Sequence, residues 1–140
     1  MPKQRLDHPP LAPMDSLVRE IQRVLDLVKP VHGVGDEYDW AYNGYCGAAS
    51  EAYLHLATEA EHGEDLRVMR QADASGSHWW LLDSKGRVID LNLSAADRKW
   101  LNQHPEQGYP YGEGRGASFR MWPKPSKRAA ALIELVKSRR

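Results

Sequence analysis

GYCGAASEAYLHLA, Gly44 to Ala57, places the chain's single cysteine, Cys46, where a loop rich in Tyr and Gly gives way to a helix. Gly47, Ala48, Ala49, Ala52 and Ala57 are small enough to let another element approach closely, while Tyr53 and Leu56 supply bulk. That pattern predicts a central helix from Cys46 to about Glu61 pressed against a sheet. The first N–H groups of a helix have no intrahelical partner, so they stabilise a negative sulfur placed on them. Cys46 is therefore a candidate thiolate nucleophile; the alternative is a small buried hydrophobe, a common fate of free cysteine.

The second informative stretch is SHWWLLDSKGRVIDLN, Ser77 to Asn92, which reads as two strands, His78–Leu82 and Arg87–Leu91, around a turn. A three-residue loop of Ser84, Lys85 and Gly86 puts glycine at the left-handed position of a type I turn with a bulge. This choice sets the register. Pairing Asp83 with Arg87 places Asp90 opposite Trp80, and side-chain alternation then puts His78 and Asp90 on one face as diagonal neighbours. Such neighbours lie roughly 7 to 8 Å apart at the backbone, close enough for imidazole and carboxylate to bond. A two-residue loop would separate them onto opposite faces.

A thiol, an imidazole and a carboxylate thus follow in the order Cys46, His78, Asp90. Cys46 would attack. His78 would take the thiol proton and later protonate a leaving group, and Asp90 would fix the ring tautomer and favour the imidazolium. Singly, His78 also reads as a satisfied strand histidine and Asp90 as a strand-end carboxylate on a turn or cap.

A cysteine at a helix start, a histidine on a strand and an aspartate on the next strand resemble the transglutaminase-like branch of the papain-like cysteine enzymes. The resemblance implies an α+β fold, papain-like or transglutaminase-like, with the nucleophile helix packed on a small antiparallel sheet. GYCGAASEAYLHLA, SHWWLLDSKGRVIDLN, GRGASF and PSKRAAALIELV are also similar to a group of small uncharacterised bacteriophage-type proteins, over about Tyr42 to Val136. That likeness supports the site and a phage setting but supplies no substrate. Papain-type enzymes carry a glutamine before the cysteine as oxyanion donor, and this chain has none there. Asn43, Tyr42 and Tyr45 are the replacement candidates, with the Cys46 N–H, and spacing does not choose among them.

Along the rest of the chain, residues 1–13 hold prolines and alternating charge without periodicity and read as a flexible tail that docks at Leu11 if anywhere; residues 14–140 read as one domain. Asp15 or Ser16 caps a helix whose Leu17, Val18, Ile21, Val24, Leu25 and Val28 recur at helical spacing until Pro30. The acidic, aromatic loop before the nucleophile, with Tyr38 and Trp40, either lines a substrate cleft or covers the core edge. His55 lies about two and a half turns beyond Cys46, too far to be its base. Leu66–Gln71 reads as a strand preceding the hairpin. Ser94 and Asp97 form a capping arrangement for a short helix through Leu101. Residues 102–116, dense in Pro, Gly and Tyr, form a long loop. In it Tyr109, Tyr111 and Arg115 are substrate-cleft candidates, as Trp40 and Trp80 are elsewhere, or else belong to a structural Ω-loop. Ser118–Trp122 reads as a last strand, and Pro125 with Ser126 opens a final helix with Ala129, Leu132, Ile133 and Val136 on one face.

Composition bounds the function. The chain has 140 residues, with 41% hydrophobic and 27% charged, as in ordinary globular domains. One cysteine excludes an internal disulfide framework, and no apolar run reaches the ~20 residues of a membrane span or resembles a signal peptide. A cytoplasmic setting is expected, the host's if the chain is phage-encoded, with no membrane partner. No CxxC or HxxxH spacing marks a metal site, and neither metal nor cofactor is expected. The 19 basic and 19 acidic residues balance, but Arg115, Arg120, Lys124, Lys127, Arg128, Lys137, Arg139 and Arg140 gather near the C-terminus. Balanced total charge lacks the footprint of a dedicated nucleic-acid binder.

The reading is a thiol-dependent acyl-transfer enzyme, an amidase or peptidase-type hydrolase or a transglutaminase-like transferase, acting on a protein or small amide or acyl substrate of the host. The alternative is a non-catalytic module of the same fold that holds a host protein or nucleic acid through its aromatic loops and basic C-terminal region.

Overall fold

The protein, described from a computed structural model, is seen over residues 10–28, 45–63, 65–73, 76–104, 111 and 114–140. Helix α1, Ser16–Val28, begins where the Asp15 carboxylate accepts the Val18 N–H at 2.8 Å, the side-chain cap its first turn needs. It buries Val18, Ile21, Gln22, Val24 and Leu25. Helix α2, Cys46–Glu59, is the central one and buries Ala49, Ala52, Tyr53, Leu56 and Ala57. Its small residues admit the sheet on one side and other helices on the rest, as their volumes require.

Four strands follow the order β3-β2-β1-β4, every neighbouring pair antiparallel: β1 Arg67–Asp73, β2 Gly76–Leu82, β3 Val88–Ile89 and β4 Arg115–Gly116. The architecture is α+β, with a small antiparallel sheet and four helices among the described residues. Leu81 and Ile89 join α1, α2 and the C-terminal helix in the main core. Trp80, Val88 and Tyr111 form a second cluster, joined by Leu11, Met69 and Leu82. Alternation along β2 thus sends Trp80 and Leu81 to different cores.

The hairpin has the expected three-residue loop. Asp83 N–H donates to the Arg87 carbonyl at 3.0 Å, Gly86 N–H donates to the Asp83 carbonyl at 2.9 Å, and Gly86 takes φ +74°. Only glycine enters that left-handed conformation without a Cβ penalty. The Asp83 carboxylate also accepts from the Lys85 and Arg87 N–H groups and from Arg87 Nε, at 2.8 to 2.9 Å, so the turn is locked by its own first residue.

Residues 10–12, part of the stretch read as tail, run parallel to β3: Val88 N–H donates to the Pro10 carbonyl and Ala12 N–H to the Val88 carbonyl, each at 2.7 Å. This segment covers the exposed edge of β3, and Ala12 is buried. Helix α3, Ala95–Gln103, carries the expected reciprocal cap, with Asp97 N–H on Ser94 Oγ and Ser94 N–H on Asp97 Oδ2. Helix α4, Lys127–Ser138, is capped by Ser126, whose N–H and hydroxyl both donate to the buried carboxylate of Glu51 on α2.

One strand is displaced from its expected place. Residues 118–122 are not a strand; β4 lies at Arg115–Gly116, and the chain turns where Trp122 N–H donates to the Phe119 carbonyl at 3.1 Å. The reason is Phe119, which buries its ring by stacking on Trp79 at 5.1 Å instead of alternating along a ladder. The expected helix stop at Pro30 and the loop through Tyr38 lie outside the described residues.

Candidate active site

The hairpin register fixes the polar pair. Leu82 pairs with Val88 and Leu81 with Ile89, so Trp80 and Asp90 come opposite and His78 stands diagonal to Asp90. His78 Nε2 and Asp90 Oδ2 lie 2.9 Å apart, and both side chains are at least nine-tenths buried. Asp90 is held from two further directions. Its Oδ1 accepts the Asn92 N–H at 2.9 Å, and its Oδ2 accepts the Tyr111 hydroxyl at 2.6 Å. The segment just past it is tied to α1, because Gln22 Nε2 donates to the carbonyls of Leu91 and Leu93 at 3.1 and 2.7 Å.

Cys46, the first residue of α2 and itself buried, shares a hydrogen bond with the His78 side chain. Burial pulls the imidazole pKa down. The charge and hydrogen bond of Asp90, then the hydrogen bond and charge of Cys46, outweigh it and push His78 up to about 10. His78 therefore carries a proton at neutral pH. The three predicted side chains meet at one imidazole, His78 bonding both the Cys46 thiol and the Asp90 carboxylate.

The surroundings sort the remaining candidates. Trp80, a cleft candidate from sequence, is fully buried and edge-on to Tyr111 at 5.2 Å, so it is packing behind His78 and Asp90 and not a cleft wall. Tyr111 is buried too, and its role is to hold Asp90. Arg115 is exposed on β4. Tyr45 directs its hydroxyl to the Val28 carbonyl at 3.4 Å and its ring to the Arg128 guanidinium at 4.6 Å, both away from an oxyanion role. Trp40, Tyr42, Asn43 and Tyr109 lie outside the described residues. Tyr45 gives α2 no side-chain cap, which leaves the Cys46 N–H among the donors at the helix start.

The supporting roles of three residues escape sequence reading, Tyr111 having been expected at a substrate cleft or in a structural Ω-loop. Tyr111 sits in a stretch without periodicity. Gln22 had a signal, a polar residue on the buried stripe of an amphipathic helix. Arg98 lies near Asp90: burial lowers its pKa from the ordinary arginine value, and the charges of Tyr111 and Asp90 act against that shift.

Two surface depressions, of about 470 and 280 Å³, are lined by the hairpin turn with Asp65 and by Glu20, Arg23, Arg139 and Arg140. Neither includes Cys46, His78 or Asp90. Among the described residues no three His, Cys, Asp or Glu side chains are grouped to hold a metal ion, and no helix is long and apolar enough to cross a membrane. Comparison with family models, curated proteins and solved structures returns no match.

Proposed function

We propose that this protein is a thiol-dependent acyl-transfer enzyme of papain-like or transglutaminase-like type, with Cys46 as nucleophile, His78 as acid–base and Asp90 as orienting carboxylate. The observation that carries the reading is the single imidazole shared between the Cys46 thiol and the buried Asp90 carboxylate. A histidine satisfied for structural reasons alone needs neither a helix-start thiol nor a carboxylate fixed by three donors.

The chemistry follows from those contacts. The Cys46 thiolate attacks an acyl carbon, and the developing oxyanion is met by the Cys46 N–H at the start of α2. As the carbon–nitrogen bond breaks, the His78 imidazolium gives its proton to the departing amine and a thioester remains. His78, now neutral, takes a proton from water or from an incoming amine, which attacks the thioester and releases Cys46. Water gives a hydrolase and an amine gives a transferase; hydrolysis is the preferred form. A host protein or small host conjugate in the cytoplasm is the proposed target, on the strength of the phage-type sequence likeness.

The binding-module alternative draws less support. Of the basic residues near the C-terminus, Lys137 bonds Glu59 and Arg140 bonds Glu20, each at 2.9 Å, while Arg128 covers Tyr45. These contacts spend basic charge within the fold.

The test is the pre-steady-state reaction with p-nitrophenyl acetate in excess over the protein. The expected result is a burst of p-nitrophenolate, an acetyl group mapped to Cys46, and loss of both in Cys46→Ala, with His78→Ala slower by at least about a hundredfold. Addition of an alkylamine that speeds deacylation would assign transfer over hydrolysis. Acetylation no faster than that of a free thiol would refute the proposal.

A further inference from the structure

Residues 119–128 lie along α2 in the opposite direction. Tyr45, Glu51 and His55 meet, in reverse chain order, the Arg128 guanidinium at 4.6 Å, the Ser126 cap, and the Trp122 ring at 4.6 Å. The turn between is pinned at both ends, where Phe119 is buried on Trp79 and Ser126 bonds the Glu51 carboxylate. Within it, Trp122 N–H donates to the Phe119 carbonyl at 3.1 Å and Lys124 N–H to the Met121 carbonyl at 2.8 Å. Met121 and Trp122 nevertheless stand 52% and 40% exposed, next to each other in the chain. Arg120, Lys124 and Lys127 flank them and are exposed as well. No carboxylate among the described residues pairs with any of these three, and the sequence holds no Asp or Glu from residue 114 to residue 133.

Tryptophan, methionine and arginine are the residue types enriched where proteins meet, and two large apolar side chains exposed together mark such a contact. A positive rim free of acidic neighbours complements a negative partner and speeds the encounter. Because the turn is fixed by its pinned ends, little of the ordering cost of binding remains. Single-stranded nucleic acid is the poorer match. His55 packs on the Trp122 ring and the turn's other aromatic, Phe119, is buried, which leaves no platform for successive bases. We infer that residues 119–127 form a docking surface for an acidic segment of another protein, with Trp122 and Met121 as its apolar anchor and Arg120, Lys124 and Lys127 as its charged rim. The docking stands apart from acyl transfer and is read by binding alone.

The probe is a fluorescein-labelled peptide of repeated Glu-Glu-Leu, titrated with the full chain and read by fluorescence anisotropy. Peptides of equal length built from Glu-Glu-Ser and Gln-Gln-Leu remove the apolar and the acidic component in turn. The Glu-Glu-Leu peptide is expected to bind at least about tenfold more tightly than either comparator. Trp122→Ala should weaken it by about tenfold or more, the scale of a central aromatic anchor. Lys124→Gln with Lys127→Gln should weaken it several-fold and flatten its salt dependence. Both lysines are exposed, so this pair is expected to keep the urea midpoint of the wild type, which separates lost docking from lost folding. No binding of Glu-Glu-Leu at about 1 mM overturns the inference, as does equal binding of the three peptides. So does an affinity and salt dependence unchanged by the lysine pair, or tighter binding of oligothymidylate or phosphatidylserine vesicles through the same residues.

Discussion

Replacing Tyr111 by phenylalanine isolates one bond at the centre of the site. The hydroxyl donates to Asp90 Oδ2 at 2.6 Å, while the ring packs edge-on against Trp80 at 5.2 Å and is almost entirely buried. Phenylalanine keeps the ring and its packing, so no cavity opens. What is lost is a hydrogen bond to a charged acceptor, a class worth about 1.5 to 3 kcal/mol. Asp90 keeps two other partners, His78 and the Asn92 N–H, so the carboxylate is not stranded and the lower half of that range applies. The expected loss is about 2 kcal/mol, or about 5 to 8 °C in Tm for a chain of this size. Urea unfolding followed by tryptophan fluorescence should show a lower midpoint with an unchanged slope. The variant should also alkylate Cys46 several-fold more slowly, because a less restrained Asp90 holds His78 less firmly. A loss below about 0.5 kcal/mol with unaltered alkylation would refute the claim that Tyr111 positions the carboxylate.

Other consequences are open to measurement. Gly114→Ala would drive a Cβ into the fully buried Trp80 ring at Cζ2 and Cη2, and overpacking of that kind costs about 2 to 3 kcal/mol, read by urea unfolding. Glu51→Ala would strand the N–H and hydroxyl of Ser126 at the start of α4, a loss of about 2 to 3 kcal/mol seen in the same assay. The His78 pKa is raised to about 10 in the folded protein from an ordinary 6.5, so folded chains hold the proton more tightly. Its contribution is complete below pH 6.5 and lost as pH rises toward 10; the urea midpoint should fall across that window, and fall less steeply in His78→Gln.

Local chemistry made most of this architecture legible. Asp83, Gly86 and Arg87 specify the hairpin within five residues, and that turn alone fixes which face His78 and Asp90 share. Ser94 with Asp97, and Asp15 before α1, announce their helices through caps formed three residues apart. Contacts set by tertiary packing were not legible in this way. Tyr111 reaches Asp90 across 21 residues of chain, and nothing near it in sequence marks a hydroxyl aimed at a carboxylate. Trp80 was a substrate-cleft candidate; only the placement of Tyr111 and Leu11 shows that this indole is core, while Trp79 borders α2. The last strand was misplaced because Ser118–Trp122 has strand-like composition, while Phe119 is drawn out of any ladder by its stack on Trp79.

The most direct test of the thiol–imidazole–carboxylate assignment is the rate of Cys46 alkylation by iodoacetamide from pH 5 to pH 9, in the native protein and in His78→Ala. The account predicts fast alkylation of the native protein at pH 6, where an ordinary cysteine with a pKa near ~8.5 is almost unreactive, and loss of that low-pH reactivity in His78→Ala. An unreactive thiol, or an ordinary profile identical in the two proteins, would contradict it.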